Sequence, residues 1–166
     1  MTIQSTQQTR QPGSSSRPTR VDPRGPRFGA AITAVVLALI LILGPHSPIA
    51  AVLLAIQVLA FAAGSLIGLH AQPYGWVFRK FVRPRLGPPA ELEDQAPPRF
   101  AQAVGLVFGL AAAAGLLLSV DVLFYVAAGM ALAAAFLNAA FDFCLGCEMY
   151  LLFKRIGVGN KPLTES

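Results

Sequence analysis

The chain has 166 residues, of which 55% are apolar and only 13% carry a charged side chain. An ordinary soluble domain carries about 25% charged residues, so this composition argues against one. The apolar residues come in long blocks, which indicates a single membrane-embedded domain whose partner is the lipid bilayer. The net charge of +5 raises nucleic-acid binding as an alternative. However, the basic residues border the apolar blocks, where Lys and Arg set membrane orientation, so we predict no nucleic-acid partner.

The N-terminal residues 1–25 are rich in Ser, Thr, Gln, Pro and Arg and offer little apolar surface. Burial is what offsets the entropy cost of ordering a chain, so we predict a disordered tail here. Residues 26–156 are predicted to form a transmembrane domain, and residues 157–166 a short C-terminal tail.

Four apolar runs predict transmembrane helices over about 28–44, 49–69, 100–118 and 122–141, the last with an extension to about 155. The connections within the first pair and within the second pair are short, so each pair forms an antiparallel hairpin. The predicted fold is therefore an all-α membrane protein with four transmembrane helices as two tandem hairpins. Between the hairpins, aromatic and basic side chains typical of the headgroup boundary precede a proline-rich loop.

The two hairpins resemble each other in sequence. PRF opens the first at 26–28 and the second at 98–100, whereas FRK at 78–80 and FKR at 153–155 end them. The pattern indicates a duplication, with the two copies related by an axis along the membrane normal. The cysteines have no counterpart in the first hairpin, so any special chemistry belongs to the second.

The distribution of basic residues predicts the orientation in the membrane. All 13 Lys and Arg residues lie in the N-terminal tail, the central loop or the C-terminal segment, and the two short hairpin connections carry none. By the positive-inside rule, both termini and the central loop are predicted to be cytoplasmic.

The only two cysteines, Cys144 and Cys147, form a C-x-x-C motif at the end of the fourth run. A cytoplasmic position disfavours a structural disulfide and favours redox or metal chemistry. The spacing favours a redox pair, with Glu148 as proton acceptor or orienting group. The end of a helix, with Asp142 and Glu148 nearby, would disfavour a thiolate, whereas a sharp break near Gly146 would reverse that argument.

Two other interpretations of the cysteines stay open. One treats both as packing residues, since free Cys behaves as a small hydrophobe in an Ala-rich bundle. The other is a metal site in which His70 joins Cys144, Cys147 and Glu148, because four ligands are usual and few are available. We predict no cofactor.

Several stretches are similar to a known family: DPRGPRF at 22–28, PYGWVFRKFVRPRLGPPAELED at 73–94, PPRFAQAVGLVF at 97–108 and FLNAAFDFCLGCEMYLLFKR at 136–155. They resemble a bacterial, largely actinobacterial family of small integral membrane proteins, domain of unknown function four-three-nine-five. The Cys-x-Gly-Cys-Glu-x-Tyr signature at 144–150 is the most specific part. The resemblance implies a four-helix fold in the bacterial plasma membrane and an association with thioredoxin-like and sulfurtransferase-like proteins.

The sequence thus favours a thiol, disulfide or sulfur-handling membrane protein that works with such a cytoplasmic partner through Cys144 and Cys147. Quinone-linked four-helix disulfide oxidoreductases have a similar helix count but relay electrons through additional loop cysteines, which this sequence lacks. One alternative is a transporter or channel subunit for a small solute or sulfur species, which would require a homo-oligomer to line a path. The other is a structural membrane scaffold.

Overall fold

The computed structural model describes residues 20–89 and 91–158. Residues 1–19 of the predicted N-terminal tail and residues 159–166 of the predicted C-terminal tail lie outside the described residues. The elements in chain order are β1 (Arg20–Val21), α1 (Arg24–Leu43), α2 (Pro48–Ala62) with a π-helical turn (Ala63–Ile67), α3 (Pro73–Val77) with a second π-helical turn (Phe78–Val82), α4 (Arg83–Leu86), β2 (Glu93–Asp94), α5 (Ala96–Leu117), α6 (Asp121–Phe141) and α7 (Leu145–Val158).

Within residues 20–89 and 91–158, four helices are long and apolar enough to cross a membrane: α1, α2 together with its π-helical turn, α5 and α6. This confirms the predicted all-α membrane fold with four spans. Two of the helices begin earlier than predicted, α1 at Arg24 and α5 at Ala96. Their prolines lie in the first turn, where the missing N–H would have no partner within the helix, so they do not delay its start.

The four long helices form a bundle in which α1 and α5 each pack against both α2 and α6. Buried apolar side chains from α1, α2, α5 and α6 fill its centre, including Leu37, Leu54 and Phe124. Small residues allow close helix approach: a Cβ atom on Gly115 would lie 2.5 Å from the backbone nitrogen of Phe124. In lipid, such close packing substitutes for the hydrophobic drive that soluble helices have.

The two short hairpin connections lie together at one end of the bundle, where Nε2 of His46 is 3.5 Å from the Asp121 carboxylate. At the other end, two arginines bond to the ends of neighbouring helices. Nε of Arg27, in α1, donates to a carbonyl in the last turn of α6 at 3.2 Å, and the guanidinium of Arg99, in α5, donates to a carbonyl in the π-helical turn after α2 at 2.9 Å. The two PRF motifs thus make equivalent contacts.

Residues 20–25, which the sequence assigned to the disordered tail, have a defined structure. β1 pairs with β2 in antiparallel orientation. The Asp22 carboxylate accepts hydrogen bonds from the backbone N–H of Arg24 at 3.1 Å and from its guanidinium at 2.9 Å. These contacts are polar, and some of them involve the central loop. The prediction of disorder considered only apolar burial and therefore missed them.

The fourth apolar helix does not extend to residue 155, contrary to the prediction. α6 ends at Phe141, and Asp142 has the left-handed backbone conformation, with φ 58° and ψ 21°. Asp is one of the few residues besides Gly that adopts this conformation readily, because its short polar side chain can bond locally. A separate helix, α7, starts at Leu145 and reaches Val158, two residues into the predicted C-terminal tail.

Candidate functional site

Cys144 and Cys147 lie at the beginning of α7 and form a disulfide, with their Cα atoms 5.1 Å apart. Cys144 is the residue before the helix. Its Sγ atom accepts a hydrogen bond from the backbone N–H of Cys147 at 3.4 Å, and its carbonyl oxygen accepts one from the N–H of Glu148 at 3.0 Å. A side-chain acceptor three residues before its donor is the usual geometry of a helix N-cap. The cysteine segment therefore begins a helix instead of ending one.

This position changes the electrostatic argument made from the sequence. The first turn of a helix has unpaired N–H groups and the positive end of the helix dipole, both of which favour a thiolate in the reduced pair. The argument against an activated thiol assumed the opposite end of a helix and does not apply here. In addition, the guanidinium of Arg27 lies 3.6 Å from the carboxylate of Asp142 and offsets its charge.

The residues between and after the cysteines fix α7 against α5. A Cβ atom on Gly146 would lie 2.6 Å from Cα of Ala101, closer than real Cβ atoms approach. Further along α7, the ring centroids of Tyr150 and Phe153 lie 5.9 and 6.2 Å from that of Phe100. Tilted and edge-to-face aromatic pairs at such distances are favourable. Glycine, Tyr and Phe in this segment therefore hold the disulfide at a defined place beside the bundle.

The disulfide lies between two spaces. The first, the inner cavity, has a volume of about 260 Å³ and is lined by Cys144 and by residues of α1, α2, α5, α6 and α7. The second, the outer cleft, has a volume of about 460 Å³ and is lined by both cysteines. Its acidic side chains are Glu93, Asp94, Asp142 and Glu148. The two spaces adjoin, because Cys144, Ala30, Ala101, Gln102 and Asn138 line both, whereas Cys147 borders only the outer cleft.

The inner cavity is mostly apolar, and its polar side chains were not assigned to a site from the sequence. Thr33, Gln102 and Asn138 line it together with Cys144. Gln102 accepts a hydrogen bond from the amide of Gln72 at 3.1 Å. In the sequence, such residues can be found as polar side chains within an apolar run, because these side chains usually point into a helix bundle. Gln102 and Asn138 both lie within apolar runs and so carry this signal.

The structure does not bring His70 together with Glu148 and the two cysteines, the metal ligands that the sequence offered as an alternative. His70 follows α2 and lines a different cavity of about 320 Å³, together with Arg79 and Arg83. Across residues 20–89 and 91–158, no group of three or more His, Cys, Asp or Glu side chains is arranged to hold a metal ion. His70 lines neither of the two spaces beside the disulfide.

Fold and site together define a multi-pass helical membrane protein with a paired-cysteine segment at the start of its last helix. A sequence profile described as "Domain of unknown function (DUF4395)" matches residues 21–155. The chain belongs to this family, as its resemblance indicated. No curated protein and no solved structure is detectably similar to it.

Proposed function

We propose that the protein is a thiol–disulfide exchange protein of the bacterial plasma membrane, with Cys144 and Cys147 as its redox pair. The observation that carries the proposal is the N-cap position of Cys144, whose Sγ accepts the N–H of Cys147. Redox-active C-x-x-C motifs use the start of a helix because its dipole and free N–H groups stabilise the thiolate of the first cysteine. A cytoplasmic thioredoxin-like protein is the partner that suits this chemistry.

The two cavities suggest how exchange proceeds. A partner thiolate attacks Sγ of Cys147, which borders only the outer cleft, and the Cys144–Cys147 bond breaks as a bond from the partner to Cys147 forms. Cys144 leaves as the thiolate that the helix N-terminus stabilises. The partner's second thiolate then attacks its own bonded sulfur and releases Cys147. Two electrons and two protons pass from the partner's dithiol to the pair, and Glu148, in the same cleft, exchanges the protons.

Charge supports both the orientation and the partner. The described Lys and Arg residues lie at the end of the bundle that carries the disulfide, away from the His46–Asp121 connections, which favours a cytoplasmic site by the positive-inside rule. The four acidic side chains of the outer cleft favour a partner whose reactive cysteine is surrounded by basic residues.

Labelling with a membrane-impermeant maleimide tests this proposal. We expect both cysteines to react in inside-out vesicles and neither in intact cells, with reactivity lost on mild oxidation and restored by reduced thioredoxin. A thioredoxin whose second cysteine is replaced by Ser should stop at a mixed disulfide, and peptide mapping should find it on Cys147.

Two outcomes would contradict the proposal, and a third would change its mechanism. Labelling in intact cells would place the disulfide on the other side of the membrane. Thiols that react only after denaturation, in both preparations, would make Cys144 and Cys147 packing residues. A mixed disulfide found on Cys144 would reverse the roles of the two cysteines.

A further inference from the structure

We infer that the inner cavity binds the ring of a lipid-soluble quinone, which takes electrons from the reduced Cys144–Cys147 pair. This inference rests on the proposed function, because only a redox-active pair has electrons to pass on. It assigns each of the two spaces beside the disulfide a separate role. The outer cleft receives the protein partner, and the inner cavity receives the electron acceptor.

The size and position of the inner cavity suit a ring with a lipid tail. The cavity is bounded by all four long helices that are apolar enough to cross a membrane. Its volume of about 260 Å³ is slightly below the range of roughly 300–1,000 Å³ that is typical for drug-sized ligands. It therefore holds one or two rings, and a long tail must lie outside it. The space exists because the walls carry small residues, which are Ala30, Ala101, Gly105, Ala131, Ala134, Ala135 and Gly146.

The few polar groups of the cavity can bind the carbonyl oxygens of a quinone. Thr33, Gln102 and Asn138 contribute a hydroxyl and two amides to an otherwise mostly apolar lining. Gln102 uses its Oε1 to accept from Gln72, so its NH₂ group is left to donate. Hydrogen-bond donors on apolar walls favour a ligand that is flat, apolar and an acceptor.

The sulfur in the cavity wall narrows the ligand class further. Cys144 lines the cavity, and a reduced Cys pair gives up two electrons when it closes to a disulfide. The occupant must therefore dissolve in lipid, accept hydrogen bonds and accept two electrons with two protons. Quinones meet all three requirements.

The chemical step balances with the residues present. The Cys144 thiolate adds to a ring carbon, forming a C–S bond, and the ring takes up one proton. The Cys147 thiolate then attacks Sγ of Cys144, so the S–S bond forms, the C–S bond breaks and the electron pair stays on the ring. A second proton completes the quinol. Two thiols become one disulfide, and because Cys144 borders both spaces, no further cysteine is needed to relay electrons.

The experiment uses full-length reduced protein in detergent with a benzoquinone or a naphthoquinone that carries one isoprene unit. We expect one quinol for each disulfide formed, with a rate that saturates as the quinone concentration rises. Ala134→Leu fills the cavity and should raise the quinone KM at least tenfold. Ala133→Leu is the matched control, since Ala133 is exposed on the same helix and does not line the cavity. Reduction by thioredoxin should be equal in both variants.

A second variant keeps the test decisive if Ala134→Leu fails to fold. Asn138→Leu is close in size and removes one donor, which should raise the quinone KM about tenfold, as expected for a lost hydrogen bond of about 1.4 kcal/mol. A slow, unsaturable oxidation that is the same in all variants would overturn the quinone site. If thioredoxin still reduces the disulfide in that case, the proposed function stands without it. If thioredoxin also fails, both are overturned.

Discussion

In the first half of the bundle, the rings of Phe28 and Phe78 pack with their centroids 5.7 Å apart, and in the second half Phe100 and Phe153 pack at 6.2 Å. Each contact joins the first turn of a hairpin to the helical segment that follows that hairpin. The arginine before each first-turn phenylalanine also binds the end of the second helix of the opposite hairpin. The sequence repeat therefore corresponds to repeated contacts, and the halves share one framework.

The halves differ in the segment after their second long helix. Each segment begins with a residue of positive φ, Gly68 at 133° in the first half and Asp142 at 58° in the second. The residue before the next helix is Gln72 in the first half and Cys144 in the second. The Gln72 amide in one half thus has the place of the Cys144 sulfur in the other.

The cavities beside these two segments have opposite charge. Among the described residues, the first-half cavity is lined by Arg20, Arg79 and Arg83, with Asp22 as its acidic residue, whereas the outer cleft has four acidic residues and none that is basic. The halves differ in one loop and its cavity and share the rest of the framework. The framework therefore fixes where the loop lies, and the residues of the loop determine its chemical properties. We expect substitutions in the framework to affect both halves alike and substitutions in the loop to affect only the disulfide.

The largest effect is expected for Gly146→Ala, which has no equivalent in the first half. The new Cβ would lie 2.6 Å from Cα of Ala101, and a backbone atom cannot move aside as a side-chain end does. We expect a loss of about 1–3 kcal/mol in the free energy of unfolding, as for other overpacked sites. Thioredoxin-dependent reduction should also slow, because α7 carries Cys147. Thermal unfolding in detergent and the reduction rate measure both effects.

Gly129→Ala is the control for this change, since a Cβ atom there would meet nothing within 4 Å. It should leave reduction unchanged and raise stability by up to about 1 kcal/mol, the helix preference of Ala over Gly. Equal stability losses in the two variants would mean that α7 is not fixed against α5 by this contact.

The framework could be predicted from the sequence because its signals are local. Runs of apolar residues of spanning length, short connections and two PRF motifs are enough to indicate four helices, two hairpins and a repeat. The break at Asp142 could not be predicted in this way. The residues from α6 to α7 suit one continuous helix, whereas the observed break is accompanied by contacts with Arg27, more than 100 residues earlier in the chain.

The residues of the candidate site could be predicted from the sequence, but the cavity beside them could not. Cys144, Cys147 and Glu148 follow from the motif, and all three border the outer cleft. The inner cavity depends on where small side chains from α1, α5, α6 and α7 leave space, which is a property of tertiary packing. Gln102 and Thr33 become part of the site only because that space lies beside them.

An intermediate effect is expected from a matched pair of framework substitutions, Arg27→Gln and Arg99→Gln. Each removes a charged donor from the carbonyl groups at a helix end, which should cost about 1 kcal/mol. Only Arg27→Gln also leaves the Asp142 carboxylate unpaired. The Asp142 charge then disfavours the Cys144 thiolate. Reduction by thioredoxin should slow about twofold, a factor that corresponds to the free energy of an exposed ion pair.

Asp142→Asn tests the origin of that slower reduction. It removes the charge and keeps a side chain that tolerates the left-handed conformation, so Arg27→Gln combined with Asp142→Asn should recover the normal reduction rate. If Arg99→Gln slows reduction as much as Arg27→Gln does, the effect comes from the framework and not from the charge near the disulfide.

The smallest effect is expected for Asp22→Asn, in the basic cavity of the first half. Hydrogen bonds from the Arg24 guanidinium lower the pKa of the Asp22 carboxyl below its usual value, against the opposing effect of its burial, and the charge of Arg83 adds to the lowering. A pKa lower in the folded than in the unfolded state stabilises the fold above about pH 4, and this stabilisation is lost as the pH falls through the folded-state pKa. Wild-type protein should therefore have the higher Tm at pH 6, and the difference should shrink as the pH falls below about 4. Glu91→Gln is the control, because it removes one negative charge at an exposed residue. The pH dependence of its Tm should match that of the wild type. If the curves of Tm against pH are parallel for Asp22→Asn and wild type, the contact between Asp22 and Arg24 does not order the start of α1. The two cavities would then differ only in the charge of the residues that line them.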